Sequence, residues 1–329
     1  MQEAKKSPIP LSFLIIYFDM KVMQRNNARS GPALIAAELP RPEPGEGELL
    51  IRVLAAGVTP PELGWYPSNY AKDGSPRKGA VPGHEFSGVV AALGKNTHGF
   101  QEGQEVYGMN DWFADGATAE FCVTQASSVA LKPATLTHEE AATVPIAAST
   151  AWQGLVDRAK IQPGERVLVH GGGGGVGIFA VQLAHLHGAH VIATVSPNQM
   201  KLVAELGADE VIDYHASRFE DRTQKVDVVF DGVGGETLDR SWNVLKPGGR
   251  MVTIASIDDT AEQRVKDVFF IVEPNQQQLV EVAKLVDAGA LRTFVNAVVP
   301  LEQASDAYNG SLMNKRGYGK VVITVPGDE

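Results

Sequence analysis

Cysteine is almost missing: Cys122 is the single one in 329 residues. No internal disulfide can form and no four-thiolate zinc site can be built, which favours a reducing, cytoplasmic setting. Apolar runs are short. Residues 11–18 (LSFLIIYF) follow Lys5 and Lys6, yet fall far below the roughly 20 apolar residues that cross a bilayer. No small-residue cleavage site follows, so the run reads as an edge strand or a start-site extension before Met20 rather than a secretory signal. Blocks of like charge are also absent. The formal net charge of -10 is spread along the chain, which leaves no electrostatic footprint for nucleic acid or anionic lipid. No internal repeat is visible.

What is present divides into two grammars, as the length of a two-domain chain suggests. Residues 48–58 (ELLIRVLAAGV) are β-branched and apolar after the loop-forming PRPEPGEG. Further short strands are predicted at 86–94, 104–109 and 117–124, separated by Gly and Pro, as in a compact β-rich barrel. From Thr137 the pattern changes. THEEAATV places Glu140 three residues after Thr137, the signature of a capping box at a helix start. Strands at 166–171, 190–195, 210–214, 227–233, 250–256 and 268–273 then alternate with helices or crossovers. That alternation predicts an α/β fold with a doubly wound parallel sheet. A helix over 274–288, with Leu279, Val282, Ala283 and Val286 on one face, and a last strand from Lys320 complete the chain.

The strand RVLVHG runs into GGGGGVG and then the helical IFAVQLAHLHG, so Gly172, Gly174 and Gly177 form G-x-G-x-x-G between a strand and a helix. Glycine is required there because the turn is tight, the backbone must approach a pyrophosphate closely, and the helix packs directly on its strand. The free amides around Gly175 and Val176 then meet phosphate at the positive end of the helix dipole. The second strand ends in ATVSPNQMK. No Asp or Glu stands there to grip the ribose hydroxyls of NAD. Ser196, Lys201 and, after the third strand, Tyr214 offer a hydroxyl, a cation and a phenol, a set suited to the extra phosphate of NADPH. Ser196 also reads as a helix N-cap with Pro197 at the first helical position and Gln199 completing a capping box.

In this order AAGVTPPE, VPGHEFSGVVAALG, EEAATVPIAASTAWQGL, GERVLVHGGGGGVGIFAVQLA, LGADEVIDY, FDGVGGETL, LKPGGR and GYGKVVI resemble the medium-chain dehydrogenase/reductase superfamily, in its zinc-independent quinone oxidoreductase branch. The resemblance implies a GroES-like catalytic domain built from residues 1–145 and 274–329, and a Rossmann cofactor domain over 146–273. It also implies a nicotinamide site in the cleft between them and a homodimer. Thr59 lies near the nicotinamide by this resemblance, Thr150 contacts its carboxamide, and Tyr70 stands where relatives carry a substrate-facing tyrosine. Tyr66 is the alternative. Gly232, Val233, Ile254, Ala255 and Ser256 follow strands whose carboxyl ends face the cofactor.

The zinc alcohol dehydrogenases of the superfamily carry a cysteine ligand at the position of Thr59 and a histidine at that of His84. Thr59 is a poor zinc ligand, and no cysteine stands near Pro145, so His84 reads as a hydrogen-bonded structural histidine. Cys122, inside an apolar strand, reads as core. Without a Lewis acid, hydride addition suits an electron-poor quinone or α,β-unsaturated carbonyl better than a plain ketone. Trp65, Trp112 and Phe113 offer an aromatic wall for a flat acceptor. Two rivals stand beside this expectation: a zinc-type alcohol dehydrogenase, and a non-catalytic NADPH binder with a redox-sensing or structural role.

Overall fold

The structure, a computed structural model, describes residues 19–28, 31, 33–255, 261–312 and 317–326. The strands in chain order are β1 (Asp19–Arg25), β2 (Leu34–Pro40), β3 (Glu48–Gly57), β4 (Glu85–Leu93), β5 (Glu105–Met109), β6 (Phe121–Gln125) and β7 (Val129–Leu131). They continue with β8 (Arg166–His170), β9 (His190–Val195), β10 (Glu210–Asp213), β11 (Val226–Asp231), β12 (Leu245–Thr253), β13 (Val295–Pro300) and β14 (Lys320–Thr324). The expected apolar run at 11–18 lies outside the described residues.

Strands from both ends of the chain share one sheet of order β13-β14-β3-β4-β5-β7, with β6 paired on β3. Its join is the antiparallel pairing of β14 with β3, where Val322 sits opposite Gly57. Alternate residues of β3, Leu49, Ile51 and Val53, enter one core with Val90, Val106, Cys122 and Ile323, the period of two expected of a strand. Each such side chain contributes about 1.5–3 kcal/mol by leaving water.

β1 and β2 form a separate antiparallel pair, and a third sheet is parallel, of order β10-β9-β8-β11-β12. Chain order reverses between β8 and β11, which makes their carboxyl ends the switch point where ligands bind in such sheets. Both faces are covered. Val167, Val169, Val191, Ala193, Val228 and Phe230 enter one core, while Leu168, Ile192, Val229 and Met251 enter another. Alternation of apolar residues between two buried faces is the physical meaning of a doubly wound sheet.

Several expectations need correction. Residues 268–273 make no strand: a single bridge joins Phe269 to Thr253. Beyond it the Gln153 side chain takes both backbone groups of Glu273 and Ile271 is exposed, so no ladder continues. Of residues 117–124 only the portion from Phe121 is strand. The amides of Ala117 and Thr118 instead donate to the carbonyls of Gly83 and Pro82, at 2.7 and 2.9 Å, because Gly116 packs against that loop too closely for any side chain. Other local rules hold. Thr137 and Glu140 form both halves of a capping box before His138–Ala141. Asn275 caps the helix Gln276–Asp287, which buries Leu279, Val282 and Val286.

Candidate active site

β8 ends at His170, and the chain leaves it through Gly171, whose φ of 72° favours glycine. A Cβ on Gly172 would stand 2.8 Å from the Ala193 Cβ, and one on Gly177 would collide with the Gly171 carbonyl. The helix Gly177–Leu186 therefore approaches its strand only because these positions lack side chains. Gly174 closes the turn by donating to the Gly171 carbonyl at 2.9 Å. The amides of Gly175, Val176 and Gly177 find no backbone acceptor among the described residues, so they are available to an anion at the positive end of the helix. This cradle fits the pyrophosphate of a dinucleotide.

At the end of β9 the Tyr214 amide donates to the Val195 carbonyl at 3.3 Å, so Ser196 and Tyr214 leave neighbouring strands side by side. The Lys201 side chain is 89% exposed, with Nζ 3.9 Å from Glu205, and the Tyr214 ring meets that of His215 at a tilt, with centroids 4.3 Å apart. The expected capping box at Ser196 is absent. Ser196 Oγ shares its proton between Asn198 Oδ1 and Gln199 Oε1, at 2.7 and 3.0 Å. Gln199 Nε2 donates to the Gly173 carbonyl at 2.9 Å. The glutamine is drawn to the glycine loop because that loop has no side chain to hold it off.

The switch point is braced by two buried groups that local sequence reasoning missed. Asp231 is fully buried; one oxygen accepts the amides of Val233 and Gly234 at 3.1 Å, and the other accepts Thr253 Oγ1 at 2.7 Å. It shapes the turn carrying Gly232 and Val233, and the Ile254 amide in turn donates to the Asp231 carbonyl. The Ala255 amide donates to Thr253 Oγ1 at 3.2 Å, while Ser256 lies outside the described residues. His170 sits between Thr194 and Ser241 hydroxyls, at 3.0 and 2.9 Å. Burial lowers its pKa to about 4, so it is a neutral strut at physiological pH. A buried polar residue closing the strand before a glycine-loop was the available signal.

Thr59 precedes the short helix Pro60–Gly64, and its Oγ1 is buried without a partner. Tyr66 and Tyr70 stack with centroids 4.9 Å apart. The Tyr66 hydroxyl lies 3.7 Å from where a Cβ on Gly74 would stand. Trp65 meets Trp112 edge-on at 5.4 Å, and Tyr66 meets Phe113 at 6.4 Å, so the loops gather as the sequence suggested. His84 is 2% exposed; Nε2 donates to the Trp112 carbonyl at 3.1 Å and Nδ1 faces Glu62 Oε1 at 3.5 Å. Glu62 is fully buried and also accepts the Gly83 amide at 2.5 Å and the Tyr308 hydroxyl at 3.2 Å. Burial raises the Tyr308 pKa well above its ordinary value, which keeps it a proton donor to Glu62. Cys122 is buried, and burial pushes its thiol up to about 12, far from the range of a nucleophile. Among the described residues no group of three or more His, Cys, Asp or Glu is placed to hold a metal ion.

Glu85 on β4 and Lys320 on β14 pair within the one sheet that the two chain ends share. Glu85, fully buried, pairs with Lys320 Nζ and accepts the Ile146 amide at 3.0 Å. Ile146 opens the helix Pro145–Trp152, on which the buried Thr150 donates its hydroxyl to the Ile146 carbonyl at 2.6 Å. The Lys320 stem lies 3.5 Å from the position of a Cβ on Gly175. One lysine thus touches the glycine cradle with its stem and the β4 carboxylate with its charge.

A glycine cradle at the switch point of a parallel sheet, touched by a lysine from a second sheet, defines a dinucleotide-dependent oxidoreductase. Residues 45–137 match the family described as alcohol dehydrogenase GroES-like domain, and residues 206–323 that described as zinc-binding dehydrogenase. The 2-methylene-furan-3-one reductase of Solanum lycopersicum is 35% identical over 293 residues, covering 86% of this chain and 73% of that protein. The protein named NADPH-dependent alkenal/one oxidoreductase, chloroplastic, of Arabidopsis thaliana is 34% identical over 292 residues, with the same two coverages of 86% and 73%. The structure of the quinone oxidoreductase from Coxiella burnetii superposes with a TM-score of 0.82 at 29% identity, covering 94% of this chain and 100% of that one. The chain belongs to the medium-chain dehydrogenase/reductase superfamily, in its zinc-independent quinone oxidoreductase branch, and is an NAD(P)-dependent oxidoreductase.

Proposed function

We propose that this chain reduces the conjugated C=C of an α,β-unsaturated carbonyl, or a quinone, with NADPH. The observation that carries the reading is at His84, where one ring nitrogen is taken by the Trp112 carbonyl and the other faces Glu62. Among the buried polar atoms without a hydrogen-bond partner is the Thr59 hydroxyl, a hydrogen-bond donor and not a Lewis acid. Such a site suits acceptors that conjugation has already activated. Relatives named for furanone and alkenal/one reduction support the same class.

Bound nicotinamide dinucleotide supplies the hydride. Thr59 donates to the acceptor oxygen, where charge gathers as hydride arrives at the β-carbon. Tyr70 delivers the proton to the α-carbon, so hydride and proton together complete a two-electron reduction, and water reprotonates the phenol at its exposed edge. Tyr66, with its hydroxyl turned against Gly74, packs the Tyr70 ring in place. Trp65, Trp112 and Phe113 flank a flat acceptor, and the Thr150 oxygen accepts from the carboxamide. Residues 1–145 with 274–329 form the catalytic domain and 146–273 the cofactor domain of a cytoplasmic homodimer; the shared sheet of β3 and β14 supports that division.

Purified protein is expected to oxidise NADPH steadily with enones or quinones. Binding without turnover across such a panel would leave a non-catalytic dinucleotide binder, and stoichiometric zinc would revive the alcohol dehydrogenase reading. Tyr70→Phe is expected to lower kcat about tenfold with KM little changed, because solvent replaces part of the general-acid contribution at an exposed phenol. An unchanged kcat would remove Tyr70 from the mechanism. Lys201→Ala is expected to weaken NADPH about fivefold while leaving NADH alone, since an exposed cation contributes only modestly to phosphate binding. Equal losses for both cofactors would refute the assignment.

A further inference from the structure

The segment that enters β14 reaches the nucleotide-binding lobe twice. Lys320 lies along Gly175, as described above. Two residues earlier, the Tyr318 hydroxyl donates to the Asn198 carbonyl at 3.0 Å, across 120 positions of sequence. Its ring meets Phe294 edge-on at 6.4 Å and packs against the core of the parallel sheet. Asn198 is the middle residue of the turn Pro197–Gln199. From that turn the bonds run to Ser196 Oγ through the side chains of Asn198 and Gln199, and through Gln199 to the Gly173 carbonyl. A continuous path of side chains therefore joins the catalytic sheet, the turn at the end of β9 and the pyrophosphate cradle.

We infer that Tyr318 is a positioning residue that anchors the 197–199 turn, setting the Ser196 and Lys201 groups in place for the adenosine-end phosphate of the cofactor. The inference deepens the NADPH reading and rests on it. The turn is short, with no side-chain cap of its own, so its geometry depends on what grips it from outside. The glycine loop grips it through Gln199, and the opposite lobe grips it through Tyr318. Losing the hydroxyl frees the turn on one side while the ring, and its packing on Phe294, stays.

The test uses the full chain and its Tyr318→Phe variant, titrated calorimetrically with 2′,5′-ADP and with 5′-AMP, together with hydrogen exchange at the Gln199 amide. That amide donates to the Ser196 carbonyl at 3.0 Å and so reports closure of the turn. In the variant, 2′,5′-ADP affinity is expected to fall about fivefold, 5′-AMP affinity to hold within about twofold, and Gln199 exchange to quicken, as loss of one net hydrogen bond predicts. Equal losses for both nucleotides, or none with unchanged exchange, would overturn the anchor. Wild-type protein that binds the two nucleotides alike would instead overturn the NADPH reading, and unchanged exchange at Gln199 would still count against Tyr318 on its own.

Discussion

Gly175→Asp is expected to lower dinucleotide affinity at least about 100-fold, near 2.7 kcal/mol or more, while the fold survives. The φ of Gly175 is not in the left-handed region, so an ordinary residue adopts its backbone without strain. A Cβ there meets nothing closer than the Lys320 stem at 3.5 Å, ordinary van der Waals distance. The new carboxylate would nevertheless stand over the amides available to an anion, occupying the space of a pyrophosphate and opposing its charge. Calorimetry with NADPH and a thermal melt separate the two effects. Gly172→Val is the contrasting variant, since its Cβ would be driven onto Ala193 at 2.8 Å; it should fail to fold. If Gly175→Asp bound the dinucleotide normally, the cradle would not be the phosphate site.

Lys320→Met is expected to destabilise the chain by about 3–5 kcal/mol at neutral pH, the usual consequence of stranding one member of a buried pair. Glu85 is fully buried, and burial already holds its carboxyl above the ordinary range, with Lys320 pulling the other way. Removing the lysine raises that carboxyl further. A folded-state pKa raised above the unfolded one gives stability that is fully present below the unfolded carboxylate value and is lost as pH rises through the folded one. The deficit of the variant should therefore grow as pH rises above the ordinary carboxylate range. Adding Glu85→Gln should restore much of the loss, because a neutral amide removes the unpaired charge and still accepts from Ile146. A deficit that does not change with pH would show that packing of the lysine stem, and not the charge pair, is what matters.

The two variants draw on different kinds of information. Gly175 could be assigned from its place in GGGGGVG, between a strand and a helix, because the geometry of a strand-to-helix turn is decided by the sterics of neighbouring residues. The same holds for the capping box at Thr137 and Glu140 and for the apolar face of the helix Gln276–Asp287. Where local rules failed, a distant partner had intervened. Gln199 left the expected capping box for the carbonyl of Gly173, and residues 268–273 gave up a strand to the side chain of Gln153.

Lys320 sits in GYGKVVI and Glu85 in VPGHEFSG, and both were plainly visible, but their partnership spans 235 positions. Tyr308 and Glu62 are 246 apart, and nothing in either segment names the other. Residue order alone marked the alternation of the parallel sheet and the glycine turn at its switch point, since periodicity and glycine sterics act over a few residues. Closure of the chain decided which carboxylates are buried, which groups answer them and how the two lobes are pinned together. A buried charge requires a partner in space, and only the folded backbone brings that partner near.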